Sequence, residues 1–446
     1  MKHFTLEQIA DACGGKYTGD ESLKKTAVSS IERDSRNIKE NSLFLAIKGA
    51  RVDGHDFIEK CYESGAVCAL CEKAPENASK PYILVDDTLK AVKKIAKAYR
   101  ELFDIPIVGI SGSVGKTSTK EMIASVLSQK YKVHKTQGNL NNELGVPLTL
   151  FGMGDETEAA VVEMGISGFG EMSRISEMVQ PTVEVITIIG ECHLENLDDR
   201  DGVFKAKTEM FENLRDGGLV VLNGEDDKLN KVKEVKGRAP VFYGINSGEY
   251  RAENIKNNGV LGVDAELVFA ENRIKVNIPA IGTYMVANAL AAAAVGVELG
   301  LSAEEIKAGV ESYKTVGSRA NLVDTGRIKI IDDCYNANPT SVKASIDTLM
   351  NFDGRKVAVL GDMKELGENE LALHFSVGEY AKKCDKVIAA GPLAKEIAAG
   401  SGGEYFETKE EVIEKLPKLI EEGDVVLVKA SHSMAFEKIV EELKKL

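Results

Sequence analysis

The sequence of 446 residues has no apolar run approaching the roughly 18 residues that a membrane-spanning helix needs. Its first residues, Met1 to Glu7, lack the apolar core of a secretory signal peptide. It also lacks a basic surplus: the formal net charge is −14, whereas binding to nucleic acid demands a basic face. These absences predict a cytosolic protein without a membrane span and without a nucleic-acid partner.

Paired cysteine patterns are scarce as well. The seven cysteines are an odd number in a chain without an export signal, which predicts reduced thiols. Cys68 and Cys71 have the spacing of half a zinc site, with Cys61 upstream, but no second pair lies at metal-ligand spacing. Because Ala66 to Cys71 is also a short apolar strand, we expect these thiols to pack in a core.

The length suffices for roughly three domains. Apolar runs alternate with helical stretches, a pattern that favours parallel sheets covered by helices on both faces. Turn residues at Asp104-Ile-Pro106 and Val316-Gly-Ser318 predict three α/β domains: a smaller N-terminal one (1–103), a central one with a P-loop-type parallel sheet (104–315) and a Rossmann-like C-terminal one (316–446). Neither a solenoid repeat nor a low-complexity tail is present.

The most informative segment is Ile107 to Met122, where an apolar strand leads into Gly112-Ser-Val-Gly115 and a helix opens on Lys116-Thr117. Glycines let backbone N–H groups converge on phosphate oxygens, and the helix N-terminus adds its positive end. Lys116 can reach the outer phosphates and the Thr117 hydroxyl can ligate Mg²⁺. The segment therefore predicts a nucleoside triphosphate site; the alternative is a strand–turn–helix corner with an exposed lysine.

Two polar residues follow neighbouring strand-like runs. Glu163 comes after Ala159 to Val162, and His193 comes shortly after Val183 to Ile189. Parallel sheets bind ligands beyond the carboxyl ends of their strands, so both side chains should lie near Lys116. A carboxylate suits Mg²⁺, whereas imidazole suits softer metals, so Mn²⁺ should be tolerated. The alternatives are a solvated glutamate and a structural histidine.

Lys207 lies in the middle of an apolar helical stripe formed by Val203, Phe204, Met210, Phe211 and Leu214. Lys205 points elsewhere and can stay solvated. A buried lysine has a depressed pKa, and its neutral amine can react with CO₂ to give a carbamate, an anionic metal ligand. The alternative is a lysine that snorkels out of the stripe.

Together these segments resemble the Mur ligase family, the ATP-dependent amide ligases of peptidoglycan synthesis, over essentially the whole chain. Gly112 to Met122 is similar to the family's phosphate loop and Gly138 to Thr149 to its substrate-side loop. Asp332 to Ser341 and Leu360 to Gly367 are most similar to the member that adds D-alanyl-D-alanine to UDP-N-acetylmuramoyl-tripeptide. The resemblance implies an ADP-forming ligase that uses ATP and two Mg²⁺ ions, works through an acyl phosphate and acts as a monomer.

The resemblance also implies roles for individual residues. Catalytic roles fall on Lys116, Glu163, His193, Lys207 and Arg319, and metal ligation on Thr117, Glu163, His193 and carbamylated Lys207 (N6-carboxylysine). Nucleotide binding falls on Gly112, Ser113, Val114, Gly115, Lys116, Thr117, Ser118, Asn223, Asn288, Arg319 and Asp333. Binding of the UDP-linked substrate falls on Ser30, Asp34, Ser35, Arg36, Lys48, Asp53, His55, Asn141 and Asn142, and contact with the dipeptide on Tyr335, Asn336 and Asn338.

The chain departs from the family pattern in three places. Glu225 stands where an Asp is usual, Tyr284 where the family usually has His, and Lys429-Ala-Ser431-His432 resembles a Lys-Gly-Ser-Arg motif with two substitutions. Alternative functions are another ligase of this architecture, such as MurE or folylpolyglutamate synthase, or an ATPase that acts as a switch or motor. Arg319 belongs to the third domain, so the site should be complete only when the domains close.

Overall fold

The computed structural model describes residues 1–49, 51–76 and 78–446. Ala50, within the segment 44–55 that resembles a UDP-binding segment, and Asn77 lie outside the described residues. The described chain forms a five-stranded, a nine-stranded and a six-stranded sheet, each packed with helices, which confirms the predicted α/β class. None of the helices in the described ranges is long and apolar enough to cross a membrane. The domain boundaries at residues 104 and 316 stay predictions.

The N-terminal sheet has the order β1-β5-β4-β3-β2, in which β1 alone is antiparallel to its neighbour. All six residues of β4 are buried, including Cys68 and Cys71, and burial raises the pKa of both thiols, that of Cys71 to about 11. They pack as core residues. The strands are β1 (Lys16–Thr18), β2 (Ser30–Glu32), β3 (Ser42–Leu45), β4 (Ala66–Cys71) and β5 (Tyr82–Leu84); the helices are α1 (Leu6–Cys13), α2 (Ile58–Glu63) and α3 (Thr88–Glu101).

The central sheet has the order β14-β13-β12-β11-β10-β9-β6-β8-β7. The strands from β7 to β12 pair in parallel, as predicted, but β13 and β14 extend the edge as antiparallel hairpins. This antiparallel extension of the predicted parallel sheet was not foreseen; in residues 250–278, polar and apolar side chains alternate and short turns join the strands. The strands are β6 (Ile107–Ser111), β7 (Val133–Lys135), β8 (Ala159–Glu163), β9 (Val183–Ile186), β10 (Leu219–Asn223), β11 (Val241–Tyr243), β12 (Tyr250–Asn257), β13 (Val263–Phe269) and β14 (Asn272–Ile278).

Helices cover both faces of this sheet. The long helix that begins at Met285 is buried along almost its whole length, because its surface is mainly alanine and can approach the sheet closely. The helices are α4 (Lys116–Leu127), α5 (Gly145–Phe151), α6 (Glu171–Val179), α7 (Leu194–Leu197), α8 (Arg200–Thr208), α9 (Met285–Glu298) and α10 (Ala303–Glu311).

The C-terminal sheet has the order β15-β16-β20-β17-β18-β19, with only the edge strand β15 antiparallel. Its strands are buried apolar runs joined by helices, as expected for a Rossmann-like arrangement. The strands are β15 (Asn321–Asp324), β16 (Lys329–Asp332), β17 (Lys356–Gly361), β18 (Lys386–Ala390), β19 (Glu404–Phe406) and β20 (Val425–Lys429); the helices are α11 (Pro339–Leu349), α12 (Glu370–Ala381), α13 (Ala394–Ser401), α14 (Lys409–Leu419) and α15 (Glu437–Leu443).

Helix α3 joins the N-terminal sheet to the central one through a fully buried guanidinium. Arg100 donates hydrogen bonds to the carbonyl oxygens of Val179 (2.8 Å), Phe103 (2.7 Å) and Gln180 (3.1 Å). Burial lowers the pKa of Arg100 to about 10. Because a buried cation without acceptors is costly, these carbonyls fix the end of α3 against α6.

Glu184 on β9 is fully buried, and neither carboxylate oxygen has a hydrogen-bond partner within the described structure. Its side chain shares a strand face with Ile186, and burial raises its pKa well above the usual 4.5, opposed only by the charge of Lys236. A raised pKa means that the native state keeps a proton that the unfolded chain releases as the pH rises. Stability is therefore lost with rising pH above the unfolded value.

We expect Glu184→Met to raise the free energy of unfolding at pH 8 by about 1–3 kcal/mol, because it removes a buried polar group without partners. The gain should shrink as the pH falls towards 5, which urea unfolding at both pH values would measure. The control is Glu177→Met, an exposed neighbour whose ion pair with Lys97 is also exposed and should matter by less than about 1 kcal/mol. An equal effect at both pH values would contradict the interpretation.

Candidate active site

The strand β6 turns into helix α4 through a loop that only glycine can form at two positions. Gly112 has φ +145°, and a Cβ there would lie 1.9 Å from Thr187 Oγ1. Gly115 has φ +84° and forms the N-cap of α4. Lys116 then begins the helix, and its Nζ donates to the carbonyl oxygen of Gly112 at 2.7 Å. The loop therefore has the tight turn, helix N-terminus and lysine that a phosphate site needs.

The side chains of Thr117 and Glu163 meet at the ends of β6 and β8. Thr117 Oγ1 donates to Glu163 Oε2 at 2.8 Å, and Asn141 Nδ2 donates to Oε1 at the same distance. Glu163 is 1% exposed and Thr117 4% exposed. A buried hydroxyl beside a buried carboxylate offers hard oxygen ligands next to the phosphate loop, which fits a Mg²⁺ ion.

A cation near the start of the C-terminal sheet, Arg319, acts on the phosphate loop of the central sheet. Burial lowers the pKa of Lys116, the Glu163 charge opposes that shift, and the positive charge of Arg319 adds to it. The Arg319 guanidinium lies 3.8 Å from the centroid of the Tyr335 ring, which is 5.6 Å from the His432 ring. The segment between the central and C-terminal sheets thus places a cation opposite the loop and holds it by stacking.

A single cavity of about 470 Å³ joins these groups. It lies between the carboxyl ends of the central strands and the start of α11, so both sheets contribute to it. The predicted residues that line it are Ser113, Val114, Gly115, Lys116, Ser118, Asn141, Asn142, Glu163, His193, Asn223, Asn288, Arg319, Asp333, Tyr335, Asn336 and Asn338.

Several of these side chains also have local structural partners. Asn288 Oδ1 accepts from Thr119 Oγ1 at 3.0 Å, and Asn223 Nδ2 donates to the carbonyl oxygen of Thr187 at 3.0 Å. Asn142 Oδ1 accepts from the Gly145 amide at 2.8 Å and so supports the start of α5. Asn338 Oδ1 caps α11 by accepting from the Ser341 amide at 2.8 Å.

His193 and Lys207 lie on the segment that follows β9. His193 Nδ1 is 2.5 Å from Glu365 Oε2, a contact across the two sheets that has no hydrogen-bond geometry but lowers the pKa of Glu365. Lys207 is 1% exposed on α8, between buried Val203 and Met210. The burial of Lys207 that the apolar stripe predicted is therefore confirmed. Burial, and secondarily the positive charge of Lys116, lower the pKa of Lys207 to about 8.

The residues predicted to hold the UDP-linked substrate lie around the N-terminal sheet, apart from Asn141 and Asn142. Ser30 Oγ is 2.9 Å from Ser42 Oγ. Asp34 pairs with Arg36 at 2.6 Å, and Asp53 with His55 Nδ1 at 2.6 Å. Within the described ranges the cavity reaches none of the seven, which are Ser30, Asp34, Ser35, Arg36, Lys48, Asp53 and His55. The structure thus separates two groups of predicted site residues.

Other residues of the site were not predicted from the sequence, or were noted there without a role. Tyr284 and Tyr243 both line the cavity, and Tyr243 carries no local sequence signal. Lys429 at the end of β20 is buried, and its Nζ lies 2.5 Å from Asp333 Oδ2 and 3.1 Å from the carbonyl oxygen of Asn336. Lys120 is 1% exposed and lies 3.6 Å from Glu163 Oε2. The sequence could have indicated this position, because a residue three positions after Thr117 lies on the same face of a helix.

Three family models match the chain in order. They are the catalytic domain of the Mur ligase family (27–100), the Mur ligase middle domain (110–296) and the Mur ligase glutamate ligase domain (318–432). The chain is also 35% identical to the UDP-N-acetylmuramoyl-tripeptide–D-alanyl-D-alanine ligase of Bacillus subtilis (strain 168), with 98% of each chain covered. The chain belongs to the Mur ligase family.

Solved structures of two family members are similar to this chain over all or most of its length. A crystal structure of MurF from Acinetobacter baumannii is similar with a TM-score of 0.92 and 31% identity, with both chains fully covered. MurF from Thermotoga maritima, solved in complex with ADP, is similar with a TM-score of 0.84 and 30% identity over 93% of this chain and 97% of that one. The chain is therefore an ATP-dependent ligase with the Mur ligase fold.

We expect Tyr335→Leu to weaken ATP binding roughly 5- to 30-fold, because a desolvated cation–π contact is worth about 1–2 kcal/mol. Tyr335→Phe keeps the ring over Arg319 and should bind ATP within about threefold of the unmodified protein, as a matched control. Isothermal titration calorimetry would measure both. Equal ATP affinity in the leucine variant would show that the ring does not hold Arg319 in place.

Proposed function

We propose that this chain joins D-alanyl-D-alanine to UDP-N-acetylmuramoyl-tripeptide with cleavage of ATP to ADP and phosphate. The observation that carries the proposal is the shared cavity, which brings the phosphate loop, Glu163 and Arg319 together with the segment Tyr335 to Asn338. The names of the Bacillus subtilis ligase and of the MurF structures support the choice of substrates. The reaction belongs to the cytosolic stage of peptidoglycan precursor synthesis.

The nucleotide lies with its triphosphate on the loop from Gly112 to Ser118. Lys116 Nζ donates to the carbonyl oxygen of Gly112, and it turns onto the outer phosphates when they arrive. Arg319 meets the same phosphates from the opposite side of the cavity. Asn223 and Asn288 line the region where the nucleoside lies, with Tyr284 beside Asn288. Fixed cations here stabilise the charge that spreads over the transferred phosphoryl group.

Bond formation follows in two steps. The terminal carboxylate of the tripeptide attacks the γ-phosphorus, which forms a C–O–P bond and releases ADP. The amine of D-alanyl-D-alanine then attacks the acyl carbon, loses a proton and expels orthophosphate. A free carboxylate does not acylate an amine in water, so the phosphoryl transfer supplies the driving force. Lys116 and Arg319 act in the first step by positioning and by offsetting charge.

Divalent ions complete the site in this proposal. Thr117 and Glu163 would hold one Mg²⁺, and His193 with carbamylated Lys207 would hold a second. Such ions would offset the repulsion between the carboxylate and the triphosphate, and Mn²⁺ would be tolerated. The hard oxygen pair of Thr117 and Glu163 fits the first ion. His193 lines the same cavity, which supports the second.

The two peptide substrates enter from opposite sides. The UDP group lies on the N-terminal sheet near Arg36, Lys48 and His55, whose donors suit uracil and diphosphate. The dipeptide lies beside Tyr335 and Asn336, next to the ion pair that buried Lys429 forms with Asp333. Asn338 acts indirectly, because its side-chain oxygen already caps α11.

We expect phosphate release to require all three substrates. With ATP and UDP-N-acetylmuramoyl-tripeptide alone, release should be at most a slow leak, because the acyl phosphate has no amine acceptor. Adding D-alanyl-D-alanine should start rapid turnover, which a coupled phosphate assay would follow. A single amino acid in place of the dipeptide, as a MurE-type ligase would need, should give no stimulation.

Turnover with ATP alone would instead support the switch or motor alternative. Oxygen-18 in the tripeptide carboxylate provides a second readout of the same prediction. One labelled oxygen should appear in the orthophosphate, because that oxygen bridges carbon and phosphorus in the acyl phosphate. Unlabelled phosphate would contradict the acyl phosphate.

Carbamylation of Lys207 rests on its position. The side chain is buried within the apolar stripe of α8, and the neutral amine that burial favours can attack CO₂ to give a carbamate and a proton. The product is a carboxylate-like anion at the site of a former cation. This change of sign suits a residue near phosphate-binding ions.

We expect Lys207→Ala to lose activity by at least about 100-fold, because a ligand of a catalytic ion is removed. Formate or acetate in the assay should restore part of it by filling the place of the carbamate. Lys205→Ala, which removes an exposed lysine two residues away on the same helix, should keep full activity. Full activity of Lys207→Ala without added carboxylate would contradict the carbamate.

A further inference from the structure

Lys120 is a buried lysine for which the proposed reaction has no use. It lies on α4 one turn after Thr117, so the two side chains share a helix face that points at the end of β8. Its Nζ donates to the carbonyl oxygen of Thr136 at 2.7 Å and lies 3.6 Å from Glu163 Oε2. At 1% exposure the ammonium has almost no contact with water.

The groups around Lys120 form a compact charge network. Its Nζ is 3.3 Å from Glu121 Oε1, and the second oxygen of Glu121 pairs with Lys135, which is 35% exposed. Thr136 accepts from Lys120 through its carbonyl and from the Glu163 amide through Oγ1, at 2.9 Å. Lys120 therefore ties the end of β7 to the end of β8. A buried ammonium is costly to desolvate, and these acceptors offset that cost.

Lys120 is also the cation nearest to Glu163. Across the described residues, no other lysine, arginine or histidine lies within 4 Å of that carboxylate. Both carboxylate oxygens have donors, from Thr117 and Asn141, so the side chain is held on all sides in the free protein. A positive charge this close to a metal-binding oxygen also repels any cation that arrives there.

We propose that Lys120 is a positioning residue that serves as the fixed countercharge of Glu163. It keeps the buried carboxylate in place when no metal is bound, and it weakens the affinity of the site for a divalent ion until the phosphates of the nucleotide arrive. This inference rests on the proposed metal site of Thr117 and Glu163. The ammonium thereby couples the binding of the ion to the binding of the nucleotide.

The test is Mn²⁺ binding without nucleotide, read from the loss of the electron paramagnetic resonance signal of the free ion. We expect Lys120→Met to bind Mn²⁺ at least about tenfold more tightly, because a repelling charge a few ångströms from the ion is gone. The same variant should have a lower melting temperature without metal, and added Mn²⁺ should raise that temperature more than it does in the unmodified protein. If the charge of Lys120 had no effect on the ion, the variant would bind Mn²⁺ with equal or lower affinity, because no repulsion would be removed.

Two further variants locate the effect. Lys135→Met removes the same charge from the network but contacts Glu121 rather than Glu163, so its Mn²⁺ affinity should stay within about threefold of the unmodified protein. Glu163→Gln removes a ligand of the proposed metal site and should abolish Mn²⁺ binding there. If Glu163→Gln binds Mn²⁺ as the unmodified protein does, the proposed metal site fails and the inference fails with it.

If the metal site is confirmed but Lys120→Met binds Mn²⁺ with equal or lower affinity, the inference alone is overturned. Lys120→Gln covers the case in which the methionine variant does not fold. Its amide can still donate to the Thr136 carbonyl while the charge is gone, so the same tightening is expected. Unchanged affinity in the folded glutamine variant would overturn the inference equally.

Discussion

The contact between Thr117 and Glu163 is the interaction on which the rest of the site depends. It joins the first turn of α4 to the end of β8 at 2.8 Å, between two side chains that are at most 4% exposed. Because β6 and β8 are adjacent and parallel, the phosphate loop and the carboxylate are fixed by the sheet itself. Loops can then vary around this point without moving the groups that meet the phosphates.

The C-terminal part of the chain adds a further cation, Arg319, to the cavity that Lys116 lines. Arg319 is held by the ring of Tyr335, and Asp333 is held by Lys429, so the wall of the cavity that the C-terminal residues form is ordered by contacts among those residues. The contact of His193 with Glu365 joins the two walls directly. Because the groups of the site come from two different sheets, their geometry depends on how the two sheets pack against each other.

Much of this arrangement was predictable because short-range rules fix it. The glycine-rich turn, the strand-end position of Glu163 and the burial of Lys207 all follow from periodicity and from the geometry of parallel strands. The edge hairpin of β13 and β14 was missed because its alternating pattern resembles any half-exposed strand. Tyr243 and the partners of Lys120 could not be predicted, because their contacts join residues distant in sequence whose approach depends on the packed sheet.

The net charge of the chain bears on where the attraction for a triphosphate can arise. A protein with a net charge of −14 repels a triphosphate at long range, so attraction must arise within the cavity. Lys116, Lys120, Arg319 and Lys429 all lie in or beside the site, and Lys120 and Lys429 are at most 3% exposed. Burial disfavours the charged form of Lys116 and lowers its pKa, and anions that enter the cavity relieve that cost. Part of the affinity for substrate is therefore stored in the fold before any substrate binds.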